Sequence, residues 1–334
     1  MKAGKLPLEL LGNLLSKINI KDPKVILGAT AGEDAAVIDL GDRFLVAKMD
    51  PITFVTDNIG WYLVQINSND LYVMGATPKW LMTTLLFPES YSKKSITNIF
   101  NQLIDSCEDA NITLIGGHTE ITYGLERPLA IGAILGEVNK RDVIYTSGAK
   151  VGDEIILTKG IAIEGTAILA REKETELLSM GISKQYISNA KNFLFKPGIS
   201  VKKDSEIAIN SGAITSMHDP TEGGLFGALQ EVSKAANVGL HIEENNIYIL
   251  PECLEICLKT GINPFGMIAS GSLLCTVKPE SSKKLIDNLY LSGSFGYKIG
   301  KIMPKEYGLM LSTKNGIKQM PVFKRDEIAR YLSQ

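Results

Sequence analysis

Four acidic segments are spread along the chain: Gly32-Glu33-Asp34-Ala35-Ala36, Lys48-Met49-Asp50-Pro51, Asn67-Ser68-Asn69-Asp70-Leu71 and Asp219-Pro220-Thr221-Glu222-Gly223-Gly224. Carboxylates are hard oxygen donors, and magnesium takes one or two of them together with phosphate oxygens and water. Paired glycines near a helix start let a bulky anion approach backbone N–H groups. The set suits a magnesium-nucleotide site built between two domains. Zinc is poorly served, because the chain has 3 histidines and none stands beside two soft ligands.

Each segment also has a plainer reading. Asp219-Pro220-Thr221-Glu222 is a helix N-terminus in outline, with Asp219 as cap, Pro220 at the first helical position and Glu222 able to close a capping box. Gly223 and Gly224 weaken that reading by lowering helix propensity, and the two roles can coexist. Asp34 fits a turn before a strand, and Asp50 fits a strand end before proline. Asp70 falls on the apolar face of an expected helix, where a charge needs a partner or a cation.

Gly116-Gly117-His118-Thr119-Glu120 follows an apolar run and reads as a strand-to-loop exit. There His118 is either structural or tuned by Glu120 two residues on. No GxSxG elbow, Walker A loop or GxGxxG fingerprint occurs, so a nucleotide site must be of another type. Lys5 is either solvated or able to reach phosphates. Lys159 and Glu164 are substrate-side candidates by position alone.

The elements that must hold these residues alternate between β and α. Residues 35–40 and 43–49 form a hairpin around Gly41-Asp42, which puts Asp34 and Asp50 at its open ends. Residues 56–75 make a helix, 80–87 a strand, 94–110 a helix, 113–115 and 129–138 strands. Turn signals across 143–152 mark a boundary, giving domains 1–145 and 146–334. In the second half 154–158 is a strand, 164–176, 183–195, 203–210, 225–236, 252–258 and 281–292 are helices, and 240–242, 272–277 and 298–303 are strands.

With 334 residues the chain has ample core for two domains. Its 35 basic and 37 acidic residues, for a net charge of −2, give no footprint for nucleic acid. No apolar run approaches the roughly 20 residues that span a bilayer, and the first residues lack a signal-peptide pattern. Four cysteines without a CxxC pair fit a reducing, cytoplasmic setting, although Cys253 and Cys257 at i,i+4 could be half of a metal site.

In this order the segments resemble the ATP-using superfamily that includes aminoimidazole ribonucleotide (AIR) synthetase (PurM), thiamine-monophosphate kinase, selenophosphate synthetase and the hydrogenase maturation factor HypE. Residues Gly32 to Val37 are similar to its early Gly-x-Asp-Ala-Ala element, and Met49-Asp50-Pro51 to its second aspartate. Asn67 to Pro78 is similar to its Asn-Asp-Leu-x-x-x-Gly-Ala-x-Pro helix, and Asp219 to Leu225 to the Asp-Pro-Thr-x-Gly-Gly-Leu of HypE. The resemblance runs from about residue 30 to residue 305 and is nearest to HypE.

It implies a two-domain, PurM-like α/β fold: an N-terminal α/β domain that dimerises through sheet edges and a C-terminal α/β domain. It implies ATP and Mg2+, with Asp34, Asp50 and Asp70 on the metals. Asn67, Gly117, Asp219, Thr221, Gly223 and Gly224 would lie around the nucleotide, with His118, Glu120 and Asp219 as catalytic candidates. The expected activity is phosphorylation of an oxygen on a small molecule or a partner protein's group, by a homodimer. The alternatives are a non-catalytic nucleotide-binding regulatory homodimer and a thiamine-monophosphate kinase-like enzyme.

Three departures qualify the resemblance. HypE carries its substrate on a C-terminal cysteine, whereas this sequence ends Leu332-Ser333-Gln334, so a thiol substrate would belong to another protein. His118 stands where a metal carboxylate is expected in Gly-Gly-Asp-Thr, leaving Glu120 to substitute or the metal count to fall. The glycine-rich N-terminal ATP loop is not recognisable around Lys5.

Overall fold

The structure, a computed structural model, describes residues 4–333, and all counts and absences refer to those residues. The chain divides into two compact units. One takes in the residues up to Asn19, Ala29–Asp34 and the chain from Ile144 onward; the other is Ile20–Gly28 with Ala35–Val143. Helix α1 (Leu8–Leu15) belongs to the first of these.

The smaller unit contains β1 (Val25–Leu27), β2 (Ala36–Asp39), β3 (Arg43–Ile52), α2 (Ile59–Val73), β4 (Thr77–Phe87), α3 (Lys93–Ala110), β5 (Thr113–Ile121) and β6 (Leu129–Asn139). Its sheet has the order β1-β2-β3-β6-β4-β5. The expected hairpin is present, with β2 antiparallel to β3. β3 runs on to Ile52, so Asp50 lies inside the strand opposite Gly132 rather than at an open end.

Helix α2 is buried on nearly every face and packs on β3, β6 and α3, which is why its sequence lacks a clean polar stripe. The close approach depends on glycine. A Cβ on Gly132 of β6 would stand 2.7 Å from Asn67 Nδ2, and one on Gly60 would stand 2.4 Å from the Ile99 carbonyl of α3. The sequence around Asn67 to Asp70 is thus pressed directly against the sheet.

The expectation of a loop at Gly116 to Glu120 is corrected. Strand β5 continues through Ile121, paired parallel with β4, and His118 lies beside Thr84. A Cβ on Gly117 would fall 1.9 Å from the Thr83 carbonyl oxygen, so the glycine serves the strand contact. β5 is the last strand of its sheet, and most of its residues are exposed.

The larger unit contains β7 (Glu154–Thr158), α4 (Ile163–Glu172), α5 (Glu174–Ser179), α6 (Lys184–Lys191), α7 (Lys202–Asn210), β8 (Ile214–His218), α8 (Gly224–Ala236), β9 (Gly239–Glu243), α9 (Pro251–Thr260) and β10 (Leu274–Val277). It ends with α10 (Pro279–Leu291), β11 (Gly296–Met303), β12 (Leu309–Thr313), β13 (Gly316–Gln319) and α11 (Glu327–Leu332). Its sheet has the order β13-β12-β9-β11-β7-β10-β8. Strand β7 is buried at all five positions, matching its unbroken apolar run Ile155-Ile156-Leu157.

The single helix expected over 164–176 is two helices, because the chain leaves helical geometry at Lys173 (φ −123°, ψ 23°). Cys107, Cys253, Cys257 and Cys275 are all reduced and buried. Cys253 and Cys257 do share a helix face on α9, with sulfurs 4.0 Å apart. No helix is long and apolar enough to cross a membrane.

Candidate functional site

In the smaller unit, the side chain of Asn67 is fixed by three contacts. Its Oδ1 accepts from the Asp50 amide at 3.0 Å, while Nδ2 donates to the Leu63 carbonyl at 2.9 Å and lies 3.4 Å from that of Asp50. Helix α2 is thereby pinned to β3 at the aspartate. One turn along, Asp70 is 3 % exposed and Lys48 Nζ lies 2.8 Å from its Oδ1. The same ammonium is 3.4 Å from Asp50 Oδ2.

Lys48 therefore answers the question posed by a carboxylate on an apolar helix face. Its signal was present in the sequence: Lys48 and Asp50 are two apart on one strand and share a face. His118 and Glu120 on β5 share a face for the same reason, with Nε2 3.1 Å from Oε2 and both side chains well exposed. Hydrogen bonds from Thr122 and His118 hold the Glu120 carboxyl below its usual range.

In the larger unit, Asp34 and Asp219 are both buried, and a carboxylate oxygen of one lies within 4.8 Å of one of the other. His218, the last residue of β8, sets its Nδ1 2.7 Å from Asp34 Oδ1 and its Nε2 3.1 Å from Glu231 Oε2. Thr146 Oγ1 donates to Asp34 Oδ2 at 3.0 Å. Glu33 accepts the amides of Thr146 and Ser147, at 3.0 Å each, and so ties the Asp34 loop to residues 146–147.

Burial opposes charge on His218, but Asp34 and Glu231 hold its pKa well above the ordinary histidine value. Burial likewise works against Glu231, yet His218 and Lys5 bring its carboxyl down to about 2. Lys5 remains in solvent, with its side chain 44 % exposed, but it is not unattached: its Nζ pairs with Glu231 at 2.6 Å, and its backbone N–H donates to Glu222.

Capping by Asp219 is also corrected. Helix α8 begins at Gly224 with Gly223 as its cap residue (φ 96°), a left-handed backbone that explains glycine at that position. The Thr221 carbonyl accepts from Gly224 N–H at 3.0 Å, closing the turn. Asp326, from the other end of the unit's sequence, accepts the Gly223 N–H at 2.7 Å. Glu222 closes no capping box, because it accepts from Lys5 instead.

Glu164 is buried, and Lys159 is half-buried with its side chain 9 % exposed. Lys159 donates to the carbonyls of Ser200 and Gly198 at 2.7 and 3.1 Å and stands 3.3 Å from Asp204, while burial lowers its pKa. Those contacts make it a structural ammonium. Glu164 has one oxygen without a hydrogen bond, and burial pushes its carboxyl up to about 7.

Family models match both halves of the chain: the AIR synthase related protein N-terminal domain over residues 32–138 and its C-terminal domain over residues 150–311. The chain belongs to the AIR synthase related proteins. It is 28% identical over 329 residues to a protein of Methanocaldococcus jannaschii named for hydrogenase expression and formation, covering 96% of this chain and 95% of that one. It is 27% identical over 344 residues to selenide, water dikinase of Clostridioides difficile, covering 91% and 93%.

Among solved structures, hydrogenase maturation protein HypE in complex with ATP aligns with a TM-score of 0.72 at 18% identity, covering 95% of this chain and 96% of that one. The fold of this AIR synthase related chain is therefore the two-domain PurM-like α/β fold that its motifs implied. In this family member the sequence reading missed Lys48, Thr146, Glu231 and Asp326. Only Lys48 carried a local signal; Thr146 and Asp326 reach their partners from 71 to 113 positions away, and Glu231 meets His218 from 13 positions and Lys5 from 226 positions along the chain.

Proposed function

We propose that the protein is an ATP-dependent enzyme that transfers the γ-phosphoryl group to an oxygen of a small molecule or of a group on a partner protein. The observation that carries this reading is the pair of buried carboxylates, Asp34 and Asp219, with oxygens within 4.8 Å beside the Gly223 turn. Two buried carboxylates at that separation repel one another unless a cation or other positive charge lies close. The donors are all hard oxygens, which fits magnesium.

Asp34 and Asp219 in one unit, and Asp50 and Asp70 in the other, are the donors offered to magnesium; Asn67 positions Asp50, and Lys48 is the charge that a metal at Asp70 would replace or share. Bound magnesium would neutralise phosphate oxygens. Thr221, Gly223 and Gly224 form the turn against which phosphates would lie; in the other unit Gly117, His118 and Glu120 form an exposed strand segment. The bond between the γ-phosphorus and the bridging oxygen breaks as one to the acceptor oxygen forms, and ADP leaves.

The family match and the relatives' names, a dikinase and a HypE crystallised with ATP, support an ATP-using reaction. The exposed edge strand β5 supports a homodimer paired through that sheet, and four reduced thiols fit a cytoplasmic setting. Calorimetric titration of ATP with and without magnesium, followed by ADP release across a metabolite panel, tests the proposal. Magnesium-dependent binding with ADP formed is expected. Tight binding without ADP would favour a regulatory nucleotide binder, and no binding would end both readings.

A further inference from the structure

Tyr307, His241 and Glu243 form a hydrogen-bonded line within the larger unit, apart from the carboxylates offered to magnesium. His241 and Glu243 stand two apart on β9 and so project from the same face. The turn that carries Tyr307 is pressed onto that strand: a Cβ on Gly239 would stand 2.4 Å from the Pro304 carbonyl oxygen and 2.9 Å from that of Gly308. The Tyr307 amide donates to the Pro304 carbonyl at 2.9 Å, and Gly308 (φ 72°) turns the chain into β12. β12 then runs parallel to β9, with Ser312 opposite Glu243.

His241 Nε2 lies 2.8 Å from Glu243 Oε1, and its Nδ1 lies 2.7 Å from Tyr307 Oη. The hydrogen bond from His241 holds the Glu243 carboxyl below its usual range, so it is charged at neutral pH. An ionised carboxylate can only accept, which places the proton of a neutral imidazole on Nε2 and leaves Nδ1 as an acceptor. The Tyr307 hydroxyl therefore donates to Nδ1. A hydroxyl beside a base whose far nitrogen is fixed by a third group is the arrangement of an activated nucleophile.

Solutes can reach this group, since Tyr307 is 37 % exposed and the His241 and Glu243 side chains are 20 % and 43 % exposed. The kind of reaction follows from what the three residues supply. Phosphoryl transfer depends mainly on positioning and on cations around the phosphate oxygens. Attack on a carbonyl carbon gains directly from a base that takes the proton of the nucleophile.

We propose that Tyr307 is an acyl-acceptor site, whose hydroxyl takes the acyl group of a small thioester with His241 as base and Glu243 positioning that base. The phenol oxygen bonds to the carbonyl carbon as the carbon–sulfur bond breaks. The phenol proton passes to His241 Nδ1 and from there to the departing thiolate, leaving a tyrosine ester and a free thiol. This step does not rest on the ATP reading and needs no nucleotide.

The test treats the full chain with S-phenyl thioacetate at neutral pH and follows acetylation of each tyrosine by peptide mass spectrometry. Tyr290, 66 % exposed with its ring against Phe295, is the internal reference. Tyr307 should be acetylated about a hundredfold faster than Tyr290 despite its lower exposure, the usual share of a positioned general base. His241→Gln should remove that advantage and leave the Tyr290 rate unchanged, which a general loosening of the fold would not do. If that variant fails to fold, Glu243→Gln, which can still accept from Nε2 but lacks the charge, should slow Tyr307 roughly tenfold against Tyr290. Acetylation of Tyr307 no faster than that of Tyr290, or a Tyr307 rate that survives either substitution, would overturn the proposal.

Discussion

His218 Nδ1 lies 2.7 Å from Asp34 Oδ1 inside a unit where both side chains are 6 % exposed. The imidazole joins Asp34 on one side to Glu231 on the other, and Lys5 completes the line. Removing the middle of this chain leaves a buried carboxylate unpaired. His218→Ala should therefore lower unfolding free energy by about 3 kcal/mol, in the range for breaking a buried pair. Urea unfolding checks the loss, and the double variant with Asp34→Asn should cost less than the sum of the single changes.

Lys48 neutralises Asp70 and also approaches Asp50. Lys48→Met should destabilise the metal-free protein by roughly 3 kcal/mol, because it strips an ion pair from a buried carboxylate. Magnesium should restore more stability to this variant than to the parent. A melting-temperature shift on adding magnesium that is no larger than the parent's would show that the metal does not go to Asp70.

Asp70→Asn keeps the shape of the side chain but removes its charge. It should weaken magnesium-dependent nucleotide binding about tenfold or more, as for loss of a charged hydrogen-bonding partner, with the protein still folded. Calorimetry with and without magnesium gives the result directly. Nucleotide binding equal to the parent's would remove Asp70 from the site.

Gly132 leaves space for Asn67, whose amide nitrogen would lie 2.7 Å from an added Cβ. Gly132→Ala should push Asn67 off the Asp50 backbone and cost about 1 to 3 kcal/mol from overpacking. The urea midpoint should fall. Nucleotide binding should fall with it, since Asp50 loses its alignment.

Glu164 has its carboxyl raised from the ordinary 4.5 to about 7, first by burial and then by Asp326. The folded protein holds this proton between those two values, so its stabilising contribution is complete below pH 4.5 and is lost as pH rises through 7. Glu164→Gln should flatten that decline and stabilise the protein at pH 8 by up to about 3 kcal/mol. Denaturant titrations at pH 5 and pH 8 would find the same slope in variant and parent if Glu164 does not carry it.

Period and turn chemistry made much of the fold legible. The β2–β3 hairpin, α2, α3, β6, β7 and α8 lie where apolar spacing and turn residues placed them, because each is a local pattern. Strand β5 was cut short in the sequence reading because Gly116 and Gly117 imitate a loop. Only the neighbouring strand reveals that Gly117 is there to admit the Thr83 carbonyl.

By itself the sequence determined the family, the alternating α/β elements and the acidic residues on which the functional proposal rests, since residue type and order are local facts. Tertiary structure decided what those residues touch. It placed Lys48 on Asp70, His218 between Asp34 and Glu231, and Asp326 rather than Asp219 at the start of α8. A buried charge must find a partner within a few ångströms, and only the folded chain specifies which distant residue supplies it.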